Sequence, residues 1–95
     1  MKRVTIDQVR QMLERSQAQQ ALDAAAGIID GGAAGTTLAT ALYLRGNAYR
    51  QLGDWRNAMN SYLAAIDLDP DGPAAAAYRQ AQDILNYYHH DYYNP

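Results

Sequence analysis

Gly46-Asn47-Ala48-Tyr49, then Gly53-Asp54, then Ala58, Tyr62 and Ala65, and finally Asp69-Pro70 set out one helix–turn–helix unit running from Ala39 to Gly72. Small residues fall where two antiparallel helices must cross closely, and large ones fall beside them. Gly46 and Ala58 let the backbones approach, while Leu42, Tyr49 and Tyr62 fill the space around the crossing. Gly53 suits the left-handed conformation that ends the first helix, and Asp54 suits the cap of the second. Pro70 stops that second helix, because proline cannot continue it from further inside.

On the amino-terminal side, Thr5-Ile6-Asp7-Gln8 forms a capping box, with Asp7 at the positive end of the helix dipole. The helix it opens runs to about Arg15 and buries Ile6, Val9, Met12 and Leu13. Ser16-Gln17 then stands where the later unit has Gly53-Asp54. At the same offset Ala21 answers Ala58, Ala25 answers Tyr62 and Ile28 answers Ala65. Residues 2–35 therefore read as a degenerate copy of residues 39–72, with its second helix from about Ala18 to Asp30. The copy has Val9 in place of the crossing glycine and lacks the terminal proline. Gly31-Gly32-Ala33-Ala34-Gly35-Thr36-Thr37 reads as a loop with Thr36 or Thr37 capping a third helix, Leu38 to Leu52. A fourth helix spans Trp55 to Leu68. A fifth, opened by Pro73, runs to about Tyr88 and buries Ala77, Ala81, Ile84, Leu85 and Tyr88 at helical spacing. Residues 89–95 are left as a tail.

The unit from Ala39 to Gly72 resembles the tetratricopeptide (TPR) repeat, whose period is about 34 residues with Gly, Tyr, Ala and Pro signposts. The resemblance implies an all-α fold: antiparallel helical hairpins in a right-handed α-α superhelix, with two repeats and a carboxy-terminal capping helix, residues 73–88, in a single domain over residues 1–95. It implies a protein–protein interaction module, an adaptor or scaffold without catalytic residues or cofactor. Such a module binds a peptide or protein in a concave groove lined by the first helix of each hairpin. Carried over position by position, the groove set is Thr40, Tyr43, Asn47, Arg50 and Gln51 in the clear repeat, and Arg3, Ile6, Arg10, Leu13 and Glu14 in the degenerate one. The capping helix contributes Ala74, Ala77, Ala81 and Ile84. Asn47 offers a peptide backbone both a donor and an acceptor. One subfamily clamps a carboxy-terminal carboxylate with lysines and asparagines, but Tyr43 stands here where a lysine would. A full clamp is not expected, although Arg10 or Arg50 could pair with an acidic peptide. Arg45 occupies a position that normally holds a large aliphatic residue. It is expected to lay its stem over the core or to pair with Glu14, Asp30 or Asp83.

Composition bounds these readings. A formal charge of −2 and a pI near 5.4 leave no basic stripe for nucleic acid. With no cysteine there is no disulfide or thiolate chemistry, which accords with a cytoplasmic setting. Neither a signal-peptide core nor a membrane span is evident. Half of the eight tyrosines fall in the last ten residues. Tyr88, Tyr92 and Tyr93 are expected to fold back over the last helix. Alternatively Tyr87, Tyr88, Tyr92 and Tyr93 form an exposed strip for a partner or for a second copy, which would make the chain a self-assembling structural subunit rather than a monomer or weak homodimer. His89, His90 and Asp91 are too few and too close together in sequence for a metal site, and none is expected.

Overall fold

The structure, a computed structural model, describes residues 4–93, with side chains as far as Tyr87. Five helices follow one another: α1 (Ile6–Glu14), α2 (Ala18–Asp30), α3 (Gly35–Gln51), α4 (Trp55–Leu68) and α5 (Pro73–Tyr93). No strand occurs among the described residues. Packing runs chiefly between neighbours in the chain, and α1 also rests on α3.

Local chemistry explains where the helices start and stop. Thr5 Oγ1 accepts from the Gln8 backbone at 3.2 Å, and Gln8 Oε1 accepts from the Thr5 backbone at 2.9 Å, so the capping box is complete. Asp54 caps α4 by accepting from Asn57 N at 3.2 Å. The two hairpin turns share one hydrogen-bond pattern. Ser16 N donates to Leu13 O at 3.1 Å and Gln17 N to Met12 O at 2.8 Å; Gly53 N donates to Arg50 O at 3.0 Å and Asp54 N to Tyr49 O at 2.9 Å. Both turns pivot on a left-handed residue, Ser16 at φ 59° and Gly53 at φ 78°. Serine pays a steric penalty there that glycine does not. Ser16→Gly is therefore expected to stabilise the fold by about 0.5–1 kcal/mol, once the looser unfolded chain is allowed for. A rise in the urea midpoint at unchanged slope checks this, and an unchanged midpoint would contradict it.

Two helices depart from their expected bounds. α3 begins at Gly35 rather than Leu38, and its N-cap, Ala34, makes no side-chain bond. Thr36 and Thr37 are thus inside the first turn instead of capping it, and Thr40 Oγ1 donates back to Thr36 O at 2.8 Å. The loop is consumed by helix: Gly32 at φ 92° and Gly35 at φ 60° turn the chain early enough for the additional residues to wind on. At the other end α5 continues through Tyr93. Residues 89–93 therefore prolong the helix and do not fold back over it. The physical reason is the absence of any glycine or proline between Ala74 and Asn94. The side chains of Tyr88, His89, His90, Asp91, Tyr92 and Tyr93 lie outside the described residues, as do Met1 to Arg3.

The core forms two clusters that share Tyr43 at their margin. One gathers Leu42, Ala58, Tyr62, Ala65, Ala74, Ala77 and Ala81; the other gathers Val9, Ala21, Ala24, Ala25, Leu44 and Ala48. The second hairpin crosses at one tight point, and the first fills the equivalent positions with the bulk reversed. In the second hairpin Gly46 on the first helix faces Tyr62 on the second. In the first hairpin the large residue is Val9, on the first helix, and the small one is Ala25, on the second; both are fully buried. Bulk has exchanged sides, so the interior stays filled without a crossing glycine.

The one buried polar side chain among the described residues, Ser61, donates to Asn57 O at 2.9 Å and accepts from Arg45 Nε at 3.0 Å. Arg45 therefore pairs with a hydroxyl on α4 and with none of the carboxylates expected for it. Its head is held across the hairpin and not only above it.

Candidate functional site

The face formed by α1 and α3 carries most of the residues expected to line a groove, but the structure commits many of their polar atoms internally. Asn47, half-buried on α3, accepts a hydrogen bond at Oδ1 from the Tyr62 hydroxyl at 2.5 Å. One lone pair of that oxygen is thereby occupied, leaving the other and the NH2 group to contact a ligand. Tyr43 lies against the same tyrosine, with ring centroids 6.0 Å apart and planes tilted by 38°. Arg50 places its guanidinium carbon 5.4 Å from the centre of the Trp55 ring, a cation–π distance. Burial raises the pKa of the Tyr62 hydroxyl above the ordinary tyrosine value, and the adjacent Arg50 cation partly offsets that rise. The hydroxyl is thus a protonated donor at neutral pH.

The remaining expected residues are dispersed around this centre. Gln51 donates from Nε2 to Leu13 O at 3.0 Å, tying the carboxy-terminal ends of α3 and α1 together. Ile6 and Leu13 are half-buried and pack on the second core cluster, so their apolar surface serves the fold first. Arg10 stays exposed and makes an ion pair with Asp7 at 3.5 Å, one turn back on its own helix. At such exposure the pair contributes little to stability and leaves Arg10 available. Thr40 borders a narrow crevice with Ala39, Tyr43, Asp69, Gly72 and Ala74, where the start of α5 meets α3.

Ala74, Ala77 and Ala81 do not line the groove. They are 2 %, 7 % and 0 % exposed, buried in the cluster that contains Ala58, Tyr62 and Ala65 of α4. The cause is the packing of α5 on α4: its small face is the face that must approach closely. Sequence reasoning also missed Tyr62 and Trp55 as parts of the site. A tyrosine in place of phenylalanine at a fully buried crossing was the available signal, because a buried hydroxyl demands a partner.

Hairpins of this kind, turning on equivalent left-handed residues and crossing at small side chains, define the tetratricopeptide-repeat fold, and the chain belongs to the TPR family. A family model described as "TPR repeat" matches residues 46–76. The chain is also similar to the Bacteroides fragilis protein BF1650, known from a solution NMR structure. The two are 38% identical, with a TM-score of 0.81 over 94% of this chain and 88% of that one. No curated protein matches. TPR repeats generally serve as protein–protein interaction modules. No helix among the described residues is long and apolar enough to cross a membrane.

Proposed function

We propose that the chain is a cytoplasmic, non-enzymatic adaptor that holds an extended peptide segment of a partner protein across α1 and α3. The observation that carries this reading is the Asn47–Tyr62 hydrogen bond beside the Arg50–Trp55 stack. Together they immobilise two polar side chains on one helix face, which lowers the entropy cost of gripping a ligand. On this reading residues 2–35 are a degenerate first repeat, residues 39–72 a second and residues 73–88 its cap. The shared turn geometry and the exchanged bulk at the crossings support that division. The outer face of α5 exposes Arg79, Gln80, Gln82, Asp83 and Asn86, and that of α1 exposes Asp7, Gln8, Arg10, Gln11 and Glu14. Apart from Tyr87, 65% exposed on α5, these faces are largely polar, as suits a closed, monomeric stack.

The test is a selection of peptides from a random displayed library, followed by NMR mapping on the labelled protein. Bound peptides are expected to shift the amides of Thr40, Tyr43, Asn47 and Arg50, and Arg10→Glu is expected to change their affinity several-fold. Peptides that shift only the outer face of α4, or a library that yields no binder, would overturn the reading.

A further inference from the structure

The carboxy-terminal end of α2 stands open on one side. Val4, Ile28 and Ala33 line a cavity of about 450 Å³ there, together with the backbone of Gly27, Gly31 and Gly32. Gly27 lies in the helix interior, where glycine is a poor choice, and a Cβ on it would meet nothing within 4 Å. Close packing among the described residues therefore does not account for it. The glycines leave the last carbonyls of α2 unshielded by side chains of their own helix, and no basic residue stands in its last turn. Those carbonyls carry the negative end of the helix dipole. Asp30 beside them is exposed and has no ion pair among the described residues. The place is apolar on its floor and negative at its rim.

The second hairpin shows how such a place is closed. At the offset that relates the Ser16 turn to the Gly53 turn, Ile28 and Gly32 answer Ala65 and Asp69, and Lys2 and Arg3 answer Ala39 and Thr40. Ala39, Thr40, Ala65 and Asp69 border one crevice of only about 10 Å³, with the early turns of α3 and the start of α5 against the end of α4. α1 begins only at Ile6, and the chain enters it extended, with Thr5 at φ −103° and ψ 162°. We propose that the segment before α1 closes the open end of the first hairpin. Lys2 crosses the cavity as a strap, with its methylene stem on Val4, Ile28 and Ala33 and its ammonium on Asp30 and the final α2 carbonyls. Reach and register suit it. Lys2 is two residues from Val4, a span of at most about 7 Å. In an extended segment it falls on the same side as Val4, with Arg3 on the other. Lysine fits both parts of the place, because its stem covers apolar surface while its head stays in water. A cation at a helix carboxy terminus is also stabilising. The strap acts on the α1–α2 edge and is independent of what the α1–α3 face binds.

NMR on the labelled full chain tests the contact. Nuclear Overhauser effects are expected from the Lys2 methylenes to the methyl groups of Ile28 and Ala33, unchanged on dilution. Their absence overturns the proposal. Effects that vanish on dilution overturn it too, and make a second copy the occupant of the cavity. Urea unfolding then reads the charge. Lys2→Ala is expected to raise the unfolding equilibrium constant about two- to fivefold, the scale of a cation at a helix carboxy terminus. In an Asp30→Asn background the same change is expected to cost less than about twofold. Arg3→Ala, on the opposite side of the segment, is the control and is expected to leave the constant nearly unchanged. A loss from Lys2→Ala that is undiminished without the Asp30 carboxylate, or that Arg3→Ala matches, reports general charge and no strap, and overturns the proposal.

Discussion

Tyr62→Ala is expected to cost about 3–5 kcal/mol of folding stability, the range for truncating a buried aromatic ring. A loss of that size consumes much of the stability of a domain this small, where the total is about 5–15 kcal/mol. The reasoning starts from burial. Tyr62 is the largest fully buried side chain among the described residues, and it packs where α3, α4 and α5 meet. The buried members of its cluster are mostly alanines, Ala58, Ala65, Ala74, Ala77 and Ala81, which have no side-chain length with which to reach into a vacated space, and the longer Leu42 and Tyr43 are already packed within the same cluster. The cavity would therefore persist instead of collapsing. Truncation also leaves Asn47 Oδ1 without its donor, adding a polar cost to the apolar one. Thermal and urea unfolding followed by circular dichroism measure the loss. A cost below about 1 kcal/mol would mean that the helices close over the gap, contrary to the packing described.

Gly46→Val is the second large effect, about 3 kcal/mol through overpacking. A Cβ at Gly46 would lie 2.6 Å from Tyr62 Cδ1 and 3.0 Å from Cζ, closer than real contacts allow. The ring has no exposed edge to swing toward, since it is enclosed on all sides. The better helix propensity of any residue over glycine, less than about 1 kcal/mol, does not offset the clash. Because the two sites touch, their effects should not add. The double variant Gly46→Val, Tyr62→Ala places a valine opposite an alanine, the arrangement that Val9 and Ala25 already have in the first hairpin. It is expected to be less destabilised than the sum of the single variants, and in a double-mutant cycle simple additivity would count against the exchange of bulk between hairpins.

That exchange also shows which parts of the fold were legible in the sequence. The bounds of α2 and α4 could be read correctly because capping and turn chemistry is local: Ser16-Gln17 and Gly53-Asp54 announce themselves within a few residues. Val9 looked like a defect at the crossing because its compensation, Ala25, lies on another helix. The start of α3 was misplaced because Thr36 and Thr37 are good caps in isolation, while the nearby glycines permit an earlier entry. The end of α5 was misplaced because a run of tyrosine and histidine suggested a tail, although nothing in it breaks a helix. The same distinction holds at the site. Asn47, Tyr43 and Arg50 could be picked out by their positions in the repeat. Their partners, Tyr62 and Trp55, and the link from Gln51 to Leu13 O, come from tertiary proximity that no spacing rule contains. Ala74, Ala77 and Ala81 were placed in the groove for the same reason, since repeat position alone does not reveal which neighbour covers a face.

The predominance of packing between neighbours in the chain has a kinetic consequence. Every hairpin closes over a short turn, so assembly needs almost no distant loop closure, and such topologies fold in about microseconds to milliseconds. α3 and α4, which share the densest contacts and the Gly46–Tyr62 crossing, form the natural nucleus. α1, with Val9 as its one fully buried residue, is the segment set to dock last and to open first.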